Sequence, residues 1–175
     1  MGQKLTEKAA LEQQVGSGDL LMVVDVNDTQ GSPEGTSKKM DFKYLMQTDK
    51  FSLDNTEIQA LHTTPKTLVG ALSGYMVTPL SVTMLCTYAA SKETSSNNLY
   101  FGYDASTDLS YWFQQRDVMH DKISDMTYIG SAFVPTAGAY TTSILNKPLM
   151  MWSNAAFNGG WSMDVYVTYA YTKIL

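Results

Sequence analysis

The last stretch of the chain carries the plainest pattern. Trp161, Met163, Val165, Val167, Tyr169 and Tyr171 occupy alternate positions, with Ser162, Asp164, Tyr166, Thr168 and Ala170 between them. Period two is the mark of a strand with one buried face. The same alternation puts Leu80, Val82, Met84, Cys86 and Tyr88 on one face and Ser81, Thr83 and Thr87 on the other. Residues 99–103 read as a short strand. Residues 144–152 hold another, with Pro148 near its start, where a missing donor is tolerable on an edge. Residues 91–98 form a polar loop, and Asn158-Gly159-Gly160 a turn. Many short strands between Gly, Asn and Pro turns predict a mainly β fold, a β-sandwich with the jelly roll as the expected type.

The first 50 residues have a different texture. Residues 6–14 predict a short helix with Thr6 as N-cap, too short to be stable alone and ended by Gly16 and Gly18. The apolar run at 20–26 reads as a buried strand, 27–36 as a loop by every turn signal, and 38–45 as a second strand or a short helix. Residues 49–62 read as a join whose few apolar points are Leu53, Ile58 and Leu61. Thr63-Thr64-Pro65 breaks any helix there, because the residue before a proline is pushed out of the α region. The expected division is an N-terminal segment, 1–50, and a β-sandwich module, 51–175.

Composition narrows the chemistry. The chain has 175 residues, a net charge of −5 and a pI near 4.8. Arg116 is its lone arginine. Nucleic-acid binding needs clustered cations for phosphate, so no nucleic-acid partner is expected. No apolar run reaches the roughly 18 residues of a membrane helix, and the start lacks the apolar stretch of a signal peptide. Tyr and Thr favour strands, and the 11 Met suit irregular core and interface gaps.

Candidate motifs mostly fail on inspection. Residues 1–6 fit the myristoylation pattern M-G-x-x-x-[ST], a short motif that also needs a eukaryotic transferase. Asn27-Asp28-Thr29 is a glycosylation sequon that, without a signal peptide, reads as a turn. Asp25 to Gln30 begins like a calcium loop, but Gln30 stands where glycine is required and Thr36 where an acid is. That excludes an EF-hand and leaves a cation of other coordination open. His62 and His120 have no metal-ligand spacing with each other or with Cys86, so solvated or hydrogen-bonded histidines are expected. Cys86 lies on an apolar strand face with nothing nearby to lower its pKa, and reads as an inert thiol. There is no G-x-S-x-G, P-loop or G-x-G-x-x-G, and residues 157–161 lead into a strand rather than a helix. The expectation is no enzyme, no cofactor and no metal. Tyr111-Trp112-Phe113 is the remaining feature. On a strand Tyr111 and Phe113 face one way and Trp112 the other. Such a set can stack on sugar rings, or serve as core and subunit contact; the second reading is favoured.

Two blocks carry a resemblance. Residues 18–29, then 35–40 and Leu45, resemble a "GDLLPIVDVSDT … GTTKK" segment common near the start of tailed-bacteriophage virion proteins. Met22 stands where that pattern has proline. Residues 58–65, 77–82, 99–103, 146–149 and 159–169 resemble a compact β module of phage capsid-decoration and head-fibre proteins. The resemblance implies a non-enzymatic virion structural protein on the capsid surface, assembled in the bacterial host cytoplasm. It implies a homotrimeric exposed module and a docking segment that meets the major capsid protein or another virion protein. The docking surface would then be Leu20, Leu21, Val23 and Val24 with Lys38 and Lys39. Tyr111, Trp112 and Phe113 would meet a glycan or another subunit. The alternatives are a tail, collar or portal component, or an adhesion module for host or mucosal glycans.

Overall fold

The computed structural model describes residues 20–30, 33, 35–41, 45–103, 111–131 and 144–173. The expected helix at 6–14 and the myristoylation pattern lie outside them. The chain forms two units, Met1–Leu45 and Met46–Leu175. Residues 46–50, placed with the N-terminal segment by texture, belong to the second.

The described residues of the first unit form a two-stranded antiparallel hairpin of β1 (Leu20–Asp25) and β2 (Thr36–Asp41), in unbroken register. In the second unit, strand β3 (Gln47–Leu53) and helix α1 (Asn55–Ala60) occupy the stretch that read as a join. Asp54 caps α1. Its carboxylate accepts from the Glu57 amide at 2.9 Å, and Glu57 accepts from the Asp54 amide at 3.1 Å. This reciprocal pairing satisfies two donors that a helix start leaves open, and it makes a six-residue helix workable.

The strands that follow are β4 (Lys66–Val69), β5 (Tyr75–Tyr88), β6 (Leu99–Gly102), β7 (Tyr111–Gln115), β8 (Met126–Ser131), β9 (Leu149–Ser153) and β10 (Trp161–Lys173). With β3 they make, among the described residues, two four-stranded sheets in the orders β3-β10-β5-β8 and β4-β9-β6-β7. The pairs β3–β10, β4–β9, β5–β8 and β6–β7 are all antiparallel and nest inside one another. That nesting is one long hairpin rolled into two facing sheets, the jelly roll. The expected fold class therefore holds.

Burial follows the alternation where the strands are regular. Along β10, Trp161, Met163, Val165, Val167 and Tyr169 are buried, and Ser162 is exposed. Three bulges shift the phase elsewhere. On β5, Pro79 pairs with Tyr169 and Ser81 with Thr168, which leaves Leu80 as the extra residue. Val77 and Pro79 face inward on one side of the bulge and Val82, Met84 and Cys86 on the other, while Leu80 is only half-buried. The reading of Leu80 as a core position is corrected, because an extra residue turns the alternation by one. A bulge is also where a proline without an N–H fits inside a strand. The other two bulges leave Leu68 unpaired on β4 and Trp112 unpaired on β7.

The loops between β5 and β6 and between β9 and β10 are tied together by a buried carboxylate. Glu93 is 0 % exposed. It accepts from the backbone N–H of Ser95 (2.9 Å), Asn158 (2.7 Å) and Gly159 (2.9 Å). Its own carbonyl accepts from the Asp121 amide at 2.8 Å, which adds the β7–β8 loop. A side chain at Gly159 has no room: a Cβ would sit 2.7 Å from the Trp161 ring and 2.9 Å from the Glu93 nitrogen. Asp117, Met119 and Asp121 in the β7–β8 loop all have positive φ. For non-glycine residues this conformation costs free energy and persists only when the surroundings impose it.

Candidate functional site

The hairpin β1–β2 holds the sequence-predicted docking residues. Its register pairs Leu21 with Met40, Met22 with Lys39, Val23 with Lys38 and Val24 with Ser37. Residues opposite one another share a face, so the hairpin has two. One carries Leu21, Val23, Lys38 and Met40. The other carries Met22, Val24, Ser37 and Lys39.

The first face is built around an ion cluster. Lys38 Nζ lies 2.9 Å from Asp25 Oδ2 and 2.8 Å from Asp28 Oδ2. The Lys38 hydrogen bond holds both carboxyls below their usual range, helped by the backbone N–H of Asn27 at Asp25 and of Gln30 at Asp28. The two carboxylates in turn raise the Lys38 pKa, Asp28 first and Asp25 second. A cation of the chain itself thus sits between the acids that looked like the start of a calcium loop. Gly35 closes the turn with φ +113°, and a Cβ there would lie 2.7 Å from the Asp25 carbonyl oxygen. Thr36 Oγ1 donates to the Asp28 carbonyl at 2.8 Å.

The second face is open, with Met22 and Val24 beside Ser37 and Lys39, and the reading of residues 20–26 as a buried strand is corrected. Met22 is 76 % exposed and Val24 57 %, and Val26, just past the strand, is 68 % exposed. A shallow recess of about 230 Å³ is lined by Leu21, Met22, Ser37, Lys38 and Lys39. Of the expected docking residues, Val24 and Lys39 stand exposed here, while Lys38 is engaged with its carboxylates and Leu21 is half-buried on the other side. Val23 is less exposed than Val24, and the Leu20 side chain lies outside the described residues. Met22 and Val26 were missing from the expected set. Alternation carried the signal for Met22, since period two couples it to Val24.

The aromatic triplet behaves differently. Trp112 is 7 % exposed and belongs to the core. Phe113 packs against that core as well, its ring 6.1 Å from Trp112 and 5.8 Å from Phe101. The opposite facing of Trp112 and Phe113 expected on a regular strand fails because Trp112 is the bulged residue of β7. A buried indole offers no platform to a sugar ring. The Tyr111 side chain lies outside the described residues.

The other chemistry-bearing residues are spread apart. Cys86 is buried between the sheets, and burial pushes its thiol up to about 12. His62 is exposed, with Nδ1 3.0 Å from the Gln59 carbonyl. His120 Nε2 lies 3.4 Å from Asp121, which also meets Lys92 Nζ at 2.7 Å. Among the described residues, no three His, Cys, Asp or Glu side chains are grouped to hold a metal ion, and no helix is long and apolar enough to cross a membrane.

No protein-family model and no curated protein matches the chain. Solved structures do. The chain is similar to one from the acid-stable capsid structure of Helicobacter pylori bacteriophage KHP30, at 12% identity and a TM-score of 0.43, over 90% of this chain and 99% of that one. It is also similar to one from the capsid asymmetric unit of cyanophage Pam1, at 12% identity and a TM-score of 0.40, over 96% of each chain.

Proposed function

We propose that this chain is a non-enzymatic structural protein of a phage virion, a capsid-bound auxiliary of the decoration or head-fibre type. Its N-terminal unit attaches to the major capsid protein or another virion protein, and its jelly roll is the exposed module. The single observation that carries the division of labour is the hairpin's open face. Met22 and Val24 are exposed on a two-stranded sheet, with Val26 exposed just past it, and such a sheet is marginal in water without something packed on it. The virion setting rests on the sequence blocks, which fall on β1 and β2 and, in the second unit, on parts of α1, β5, β6, β9 and β10 and the loops beside them.

The test is attachment to empty capsids of the parent phage. Deleting residues 1–45 should leave the jelly roll folded and soluble, and should abolish co-sedimentation. The full chain carrying Met22→Lys and Val24→Lys should fold as before and bind far more weakly. An insoluble deletion, or one that binds as tightly as the full chain, overturns the division.

A further inference from the structure

Strand β8 lies at the end of its sheet. It pairs with β5 in unbroken register, from Ser81 opposite Ser131 to Cys86 opposite Met126. Among the described residues no strand pairs with its other side. An open edge exposes a row of backbone donors and acceptors, and native edges are usually blunted by charge, proline or a bulge. β8, Met-Thr-Tyr-Ile-Gly-Ser, has none of these. The opposite edge of the same sheet, β3, carries Asp49 and Lys50. The outward side chains of β8 are Thr127, Ile129 and Ser131, all exposed, with Ile129 at 74 %. The inward side is fixed in place. Tyr128 Oη accepts from the Met119 amide at 2.9 Å. The Phe113 ring lies so close beneath Gly130 that a Cβ there would be 2.6 Å from it.

We infer that β8 is a self-association edge, which joins β8 of a second copy antiparallel about a two-fold axis. A second copy of this chain fits the edge by self-complementarity and by charge. Each copy carries −5, so two copies meet with least repulsion along a strand that bears no charge. A two-fold perpendicular to the sheet keeps outward residues outward, so only positions of equal parity face one another. Centring the joint on Ile129 sets Ile129 against its own symmetry mate. It sets Thr127 opposite the second copy's Ser131, and Tyr128 opposite the second copy's Gly130, where a large side chain meets a small one. Centring on Tyr128 instead puts two tyrosine rings face to face and leaves each isoleucine opposite a threonine. The Ile129-centred joint covers the most exposed large apolar group among the described residues of the jelly roll and extends both sheets into one.

The experiment uses the full chain. Light scattering at micromolar concentration should give the mass of two chains. Ile129→Lys should give one chain with an unchanged far-ultraviolet circular dichroism spectrum. In a Cys86→Ala background, Ile129→Cys should form an interchain disulfide on mild oxidation, because facing residues in such a pair sit about 4.5–5.5 Å apart, within disulfide reach. Thr83→Cys, one strand further from the axis on the same face, should not. A mass of one chain for the wild type overturns the inference. So does a mass of three chains, the state implied by the sequence resemblance. A dimer that survives Ile129→Lys, or one that cross-links equally at 83 and 129, overturns the two-fold edge joint.

Discussion

The hairpin and the jelly roll use the same alternation to opposite ends. In β10 the apolar positions face a second sheet and are covered. In β1 the apolar Met22 and Val24 face outward, and the hairpin is organised by Lys38 between Asp25 and Asp28 and by the glycine-dependent turn. A surface ion cluster of this kind adds little stability and fixes geometry more than it holds a fold. Burial of each large apolar side chain in β10 contributes about 1.5–3 kcal/mol. One unit therefore covers its alternating apolar positions, and the other leaves Met22 and Val24 in the open.

The sharpest way to break this comparison is to place the same charge in each unit. Val165→Asp or Val167→Asp puts a carboxylate between the sheets, and a domain has only about 5–15 kcal/mol of stability to lose. Either change should abolish the cooperative thermal transition. Val24→Asp in the hairpin should leave that transition where it is. Equal effects in differential scanning calorimetry would erase the distinction.

Glu93 comes next. Removing its carboxylate takes the acceptor from three backbone N–H groups, that of Gly159 buried and those of Ser95 and Asn158 partly so. Each buried unsatisfied donor costs about 1–3 kcal/mol. Glu93→Ala should lower stability by roughly 1–3 kcal/mol, read as a shift in the urea midpoint. Asp28→Ala in the hairpin should shift it negligibly.

Alkali should act on the jelly roll. Burial raises the pKa of Cys86 to about 12, from an ordinary 9.0. Burial also raises Tyr128, Tyr169 and Tyr171, with Asp49 adding to the shift at the last two. These groups stay protonated in the folded chain and ionise earlier when it unfolds, so unfolding releases protons at high pH. Their contribution is whole below the unfolded pKa, about 9 for the thiol and 10 for the phenols, and is lost as pH rises through the folded values. Urea midpoints should be flat up to about pH 9 and then fall. In Cys86→Ala the fall should begin later.

Acid should act on the hairpin, with the smallest effect. The carboxyls of Asp25 and Asp28 are lowered in the folded chain. Their contribution is therefore present above the ordinary value of 3.8 and is lost as pH falls through the lowered values. Amide signals of β1 and β2 should broaden or shift in that range while those of β6 and β9, which carry no carboxylate, stay sharp. Simultaneous loss of both sets would mean that the hairpin and the jelly roll respond as one.

Alternation in β10 and in residues 82–86, the turn at 158–160 and the loop at 91–98 were legible in the residues, because each is a local consequence of side-chain spacing and backbone preference. So was the class of fold, since many short alternating strands have few ways to bury one face. Pairing was not legible. β3 meets β10 across more than a hundred residues of chain, and nothing local announces which strands will nest. The bulges decided three side chains against the simple period: Leu80 left the core, while Leu68 and Trp112 are buried in spite of being unpaired. Glu93 looked like one more polar loop residue, and only the meeting of two distant loops supplied the amides that let a carboxylate be buried. At the hairpin, the sequence showed an apolar run at 20–26 and a lysine pair at 38–39. Only the register decided that Lys38 turns to its own carboxylates and that Lys39, Met22 and Val24 share the open face, because which residues share a face depends on the partner strand.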